Sequence, residues 1–185
     1  MLRLLAPFVV ALLLSGGAAA QVQPLPPAVI AVLDTGLIHR DSAAGRDINT
    51  QMEKYRNDVQ VEITKDEDGL RAQEQELLRQ RTLLTADAFA EKEKQFRERV
   101  AAVQRKVQDL SRAMDRVHDR ARRELTQVLL EVVAAMSIDR QFNLVLDRNQ
   151  IPFAHTSLDI TNQVIQEINK RKAKIAVADP RKDKG

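Results

Sequence analysis

The sequence predicts an α+β protein that is mostly α, a long antiparallel coiled-coil hairpin standing on a small β body formed by oligomerisation. Three observations carry this. Of 185 residues 44% are hydrophobic and 30% charged but only 3% aromatic, which disfavours a large ring-packed globular core. Residues 42–139 hold no proline and are rich in Ala, Gln, Glu, Arg, Lys and Leu, all strong helix formers. Within them Phe96, Val100, Val103, Val107, Leu110, Met114, Val117 and Ala121 recur at alternating steps of four and three. That 3.5-residue period is the mark of a left-handed supercoil.

Residues 1–20 read as a secretory signal peptide. Arg3 supplies the positive end, residues 4–14 an apolar run broken by Pro7, and Ala18-Ala19-Ala20 a small-residue cleavage site before Gln21. The run falls short of the ~20 residues that span a bilayer. The chain has no Cys, which removes a lipoprotein anchor, disulfides, thiol catalysis and Cys-based zinc sites.

Residues 21–27 hold three prolines and form an extended, flexible leader. A body segment, 28–41, follows: the aliphatic run at 28–33 predicts a short strand buried on both faces, closed by a turn at Asp34-Thr35-Gly36. The arm, 42–139, divides near Thr85, which can cap a second helix with Asp87 in its first turn. The outgoing helix, 42–84, carries Ile48, Met52, Tyr55, Val59, Ile63, Leu70, Leu77 and Leu84. Its seam is interrupted where it meets Glu62, Asp66, Gly69 and Gln73. Asp66 and Gly69 are therefore expected at an arm hinge, because Gly weakens a helix interior by ~1 kcal/mol relative to Ala. Leu125, Val128, Val132 and Met136 continue the seam of the returning helix.

The body resumes at 140–177. Residues 142–147 and 151–155, around a polar turn at 148–150, predict a β-hairpin, with Pro152 at its edge. A closing helix at 162–172 begins behind Thr161 as N-cap, and residues 178–185 are polar and expected to be disordered. Three short strands leave bare edges, and joining copies through them is the simplest remedy. Val29, Ile30, Val32, Leu33, Phe142, Leu144, Leu146 and Phe153 are the residues expected in that oligomeric body.

Catalytic patterns are weak. His39, His118 and His155 have no partners at metal-ligand spacing, so no metal site is expected. His155, Ser157 and Asp159 crowd into five consecutive residues with no nucleophile elbow. No phosphate-binding glycine motif exists, and neither an enzyme nor a cofactor is expected. Charge is uneven: residues 42–70 hold four basic and seven acidic side chains, net −3, while 71–123 hold fourteen and nine, net +5. The distal arm is thus basic. Arg79, Arg81, Arg97, Arg99, Arg105 and Lys106 either form a solvated face or attract acidic chains or an anionic lipid or lipopolysaccharide surface. The mixed signs and a net charge of only +3 argue against a nucleic-acid partner.

Four segments resemble the Skp (OmpH-like) family of periplasmic chaperones: VIAVLDTGLIHRDSAAGRDI at 29–48, ELLRQRTLLTADAFAEKEKQF at 76–96, FNLVLDRNQIPFAH at 142–155 and LDITNQVIQEINK at 158–170. The last, with Asp159-Ile160-Thr161 opening a helix, is the most specific. The resemblance implies a jellyfish-like homotrimer in the periplasm. Its three helical arms would enclose a cavity and hold unfolded outer-membrane proteins without ATP. On this reading the chain is a holdase. The alternative is a structural coiled-coil adaptor or spacer in the cell envelope, for which the body segments are short.

Overall fold

The computed structural model describes residues 25–183. The expected signal peptide, residues 21–24 of the leader and the last two residues lie outside that range. The order of elements is β1 (Ile30–Leu33), α1 (Thr35–Asp41), α2 (Ala43–Gln80), α3 (Ala86–Arg140), β2 (Leu144–Asp147) and α4 (Thr161–Arg171), with short 3-10 turns at Arg148–Gln150, Thr156–Leu158 and Pro180–Lys182.

The body is built on β1. It pairs in parallel with β2, Ile30 opposite Leu144 and Leu33 opposite Asp147. On its other side an isolated parallel bridge joins Val32 to Asp159, and Ile160 N–H donates to Val32 O at 2.9 Å. Both edges of β1 are thus paired, and Ala31, Val32 and Leu33, whose side chains alternate between its two faces, are all buried. Parallel strands need a long crossover, and here the crossover is the entire helical arm.

Two expectations for the body are corrected. Residues 151–155 form no strand, so β2 has no hairpin partner; its neighbour is β1. Pro152 lacks an N–H for a ladder, and Asp147 Oδ1 accepts from Asn149 N–H at 2.8 Å, turning the chain into a 3-10 turn. The turn expected at 34–36 is instead the start of α1. Asp34 is its N-cap, accepting from Leu37 N–H at 2.8 Å.

Ser42 separates α1 from α2, which starts where the sequence predicts the outgoing helix to start and ends at Gln80, four residues short of Leu84. The extended backbone of Ser42 ends α1, its N–H donating to Ile38 O at 3.1 Å, and its hydroxyl caps α2 by accepting from Gly45 N–H at 3.0 Å. This corner is tight. A Cβ at Gly45 would stand 2.1 Å from His39 O, so only glycine fits.

At 1.5 Å per residue, α2 and α3 are ~57 and ~82 Å long, joined by residues 81–85. Thr85 caps α3 as expected, accepting from Ala88 N–H. The arm has two regimes. Near the body, Ile48, Met52 and Val59 of α2 and Leu110, Met114, Val117, Ala121, Leu125, Val128, Val132 and Met136 of α3 are buried in one core. Further out, Phe96, Val100, Val103 and Val107 are only half-buried, because two helices alone cannot enclose a seam. α3 ends at Gln141, which adopts φ 60° and donates its side-chain amide to Ile138 O at 2.7 Å.

The C-terminal segment is a third correction. Residues 178–183 are not a loose tail: Ile175, Val177 and Pro180 are buried against the arm, and Asp183 lies between Arg116 and Arg120. Thr161, expected to cap the last helix, instead accepts from Asp34 N–H through Oγ1 at 2.9 Å and is buried. Asp159 Oδ1 takes the Thr161 N–H at 2.9 Å.

Candidate functional site

The distal arm combines exposed apolar side chains with basic ones. Leu78 and Leu83 at the tip are 62% and 79% exposed, beside the exposed Arg79 and Arg81. They remain exposed because α2 and α3 turn back within five residues and no third element reaches the tip. A cleft of about 340 Å³ between the helices is lined by Gln73, Glu76, Leu77, Lys92, Phe96 and Arg99, among others.

The six basic residues singled out from sequence do not form one set. Arg79, Arg81, Arg99 and Arg105 are exposed and make no ion pair among the described residues. Arg97 pairs within α3 with Glu93 at 2.7 Å, an exposed contact of ~0.5 kcal/mol or less. Lys106 reaches across the arm to Glu62 at 2.6 Å and Asp66 at 2.7 Å.

That contact explains the polar interruption of the outgoing seam. Glu62 and Asp66 stand where apolar residues would face α3, and α3 presents Lys106 to both. The hydrogen bond from Lys106 holds the Asp66 carboxyl below the usual aspartate range, and the same bond to Asp66, then that to Glu62, raises the lysine. α2 runs unbroken through Gly69, where an added Cβ would meet only the Arg99 guanidinium at 3.9 Å.

The expected body residues also divide. Val32 is 1% exposed, and Leu33 and Phe142 are likewise buried inside the single chain, while Leu146 is half-buried. Val29, Ile30, Leu144 and Phe153 are exposed, Phe153 at 84%. β2 has β1 on one side only, so its other edge carries unpaired backbone groups. On the paired side, Asn143 extends the β1–β2 contact into the leader: its Oδ1 accepts from Val29 N–H and its Nδ2 donates to Pro27 O, both at 2.8 Å.

The histidines do local work. His155 Nδ1 lies 2.8 Å from Ser157 Oγ and accepts from Ser157 N–H at 3.3 Å, capping a 3-10 turn. Asp159 is turned away, its carboxylate on Thr161 N–H and 3.9 Å from Arg148, so the three do not assemble into a triad. His39 Nε2 lies 3.3 Å from Thr126 Oγ1; burial, then Arg122 and His118, push its pKa down. Among the described residues no three His, Asp or Glu side chains come together as a metal site, and no helix is long and apolar enough to cross a membrane.

Sequence reasoning missed Gln51, Arg116 and Arg120, and placed Tyr55 only in the seam; all four hold the C-terminal segment. A signal for that segment was present in the alternation of Ile175, Val177 and the following Asp179-Pro180.

Comparison with known proteins places this architecture. The crystal structure of a candidate outer membrane chaperone (OmpH-like) from Caulobacter crescentus superposes with a TM-score of 0.76 at 19% identity, covering 84% of this chain and 94% of that one. No curated protein matches the chain in sequence. The family model described as outer membrane protein (OmpH-like) matches residues 29–168, from just before β1 to within α4. The chain belongs to the OmpH-like family.

Proposed function

We propose that this protein is an ATP-independent holdase of the periplasm, which binds unfolded outer-membrane proteins between helical arms and prevents their aggregation. The observation that carries the reading is the distal arm. Two helices leave Leu78 and Leu83 exposed and Phe96 half-buried, with unpaired Arg79 and Arg81 at the tip, Arg99 beside Phe96 and Arg105 further along α3. Many weak apolar and charged contacts suit partners of differing sequence, since no single deep pocket is required. The solved relative's description as a candidate outer membrane chaperone agrees with this reading.

The working unit is a homotrimer whose bodies join through the free edge of β2 and the exposed Val29, Ile30, Leu144 and Phe153, because an unpaired edge is a ready template for association. The arm bends around Asp66 and Gly69 to admit clients of different size. Support for this is the exposed stretch from Arg71 to Glu76, which contributes no core contacts to resist opening. The same arginines are available to an anionic lipid or lipopolysaccharide surface.

Light scattering of a urea-diluted outer-membrane β-barrel protein tests the function directly. The expected result is suppressed aggregation at near-stoichiometric chaperone without nucleotide, with the client released when detergent or bilayer allows it to fold. Undiminished aggregation, with tight binding to a folded envelope protein instead, would replace the holdase by an adaptor. Amide exchange tests the bending: rapid exchange around Gly69 and slow exchange in β2 is expected, and equally slow exchange along the whole arm would refute it.

A further inference from the structure

The C-terminal segment lies on the arm as a bound peptide does. From Ile175 to Ala178 burial alternates: Ile175 and Val177 are buried, Ala176 and Ala178 exposed. Side chains of α2 take all four main-chain polar groups of the two buried residues. Gln51 Nε2 donates to Ile175 O and Gln51 Oε1 accepts from Val177 N–H, both at 2.9 Å. Asp47 Oδ2 accepts from Ile175 N–H at 3.3 Å, and the Tyr55 hydroxyl donates to Val177 O at 3.2 Å. Beyond the buried Pro180, α3 receives the acid: Asp183 is held by Arg116 Nε at 2.9 Å and Arg120 Nη2 at 3.3 Å, its side chain 9% exposed.

This recognition is undemanding in sequence. It reads the backbone of an extended segment, two aliphatic side chains at i and i+2, and a carboxylate downstream. Extended strands present alternate side chains on one face, and membrane-spanning β-strands alternate apolar residues in the same way. The groove also continues past its occupant. A cleft of about 760 Å³ runs from Pro180 and Arg181 to Arg105 and Lys106, joining the tail's seat to the basic distal arm. The OmpH-like match ends at residue 168, so this occupant lies outside the matched core.

We infer that the α2–α3 groove around Gln51, Tyr55, Arg116 and Arg120 is a binding site for extended peptide segments with alternating aliphatic residues and a downstream acid. The chain's own 174–183 segment fills it until a client segment of that pattern displaces it. The displacement rests on the holdase reading; the peptide site does not.

The test uses the full chain with Ile175→Asp and Val177→Asp, which empties the groove without touching its walls. A fluorescein-labelled synthetic peptide of residues 173–185 is the probe, read by anisotropy. Binding at least tenfold tighter to this variant than to the unsubstituted chain is expected, and adding Arg116→Gln with Arg120→Gln should remove about tenfold of that affinity. Equal binding to both chains, or indifference to the two arginines, overturns the site. Because the chain has no Cys, a second measurement labels Ala176→Cys, an exposed position, in the otherwise unsubstituted protein. Saturating unfolded outer-membrane protein should free the label's anisotropy. An unchanged label despite client capture overturns the displacement, whereas peptide binding in a protein that captures no client upholds the site and removes the holdase reading.

Discussion

Two glycines lie within α2, and the structure predicts that the same substitution acts on them with opposite sign. At Gly45 a Cβ would stand 2.1 Å from His39 O and 2.8 Å from His39 C. Real Cβ contacts do not fall below 3.0 Å, so α1 must shift by at least about 0.9 Å. Both atoms are backbone, which cannot rotate aside. The shift strains the Ser42 N–H to Ile38 O bond and the Ser42 cap, each worth ~1 kcal/mol, on top of ~1–3 kcal/mol for overpacking. Replacing Gly by Ala in a helix returns at most ~1 kcal/mol, so Gly45→Ala should destabilise by ~1–3 kcal/mol. At Gly69 the nearest atom is the mobile Arg99 guanidinium at 3.9 Å. Only the propensity gain remains there, and Gly69→Ala should stabilise by ~0.5–1 kcal/mol. For a chain of this size ~1 kcal/mol moves Tm by ~2–4 °C. Thermal and urea unfolding at one fixed chain concentration, needed because association adds to stability, would read the pair. A stabilised Gly45→Ala or a destabilised Gly69→Ala would refute the steric argument.

Leu144→Asp with Phe153→Asp should dissociate the proposed trimer in sedimentation equilibrium while circular dichroism keeps its helical signal, whereas Val32→Asp should unfold the body, since Val32 is 1% exposed within one chain; an intact trimer in the first variant would move the interface elsewhere. Replacing Arg79, Arg81, Arg99 and Arg105 with Gln should slow capture of an acidic unfolded client about tenfold at low salt and leave Tm within ~2 °C, because unpaired exposed charges steer association more than they stabilise; a rate independent of salt in the parent chain would leave these arginines as a solvated face. His39, with Thr126, Arg122 and His118 around it, has its pKa lowered, so the unfolded chain gains the proton first as pH falls. Its contribution is complete above the ordinary value of ~6.5 and declines as pH drops toward the lowered native value; urea midpoints between pH 5 and 7.5 should show this slope in the parent and lose it in His39→Gln, and identical slopes would remove His39 as the cause.

Much of the arm was legible because its information is local. The 3.5-residue spacing from Phe96 onward, the absence of proline and the Thr85 cap are each written within a few residues, and the structure has a second helix from Ala86 to Arg140. The body was legible only in part. The aliphatic run at residues 28–33 announced a doubly covered strand, found at Ile30–Leu33, but its neighbours, β2 and Asp159, stand more than a hundred residues away, and the local pattern favoured a hairpin that does not form. The basic set was found by composition, yet composition could not tell the unpaired Arg99 from Lys106, whose partners Glu62 and Asp66 lie on the other helix.

By itself the sequence determined the two long arm helices, their approximate ends, the apolar spacing of the returning one and the excess of positive charge on the distal arm, since periodicity, capping and net charge follow from neighbours along the chain. Tertiary structure alone decided which glycine is confined, which body residues are spent inside the chain and which remain at the free edge. It also seated Ile175, Val177 and Asp183 on the arm. Each of these depends on the distance between groups remote in sequence, and that distance is set only when the crossover through the arm brings both ends of the chain back to β1.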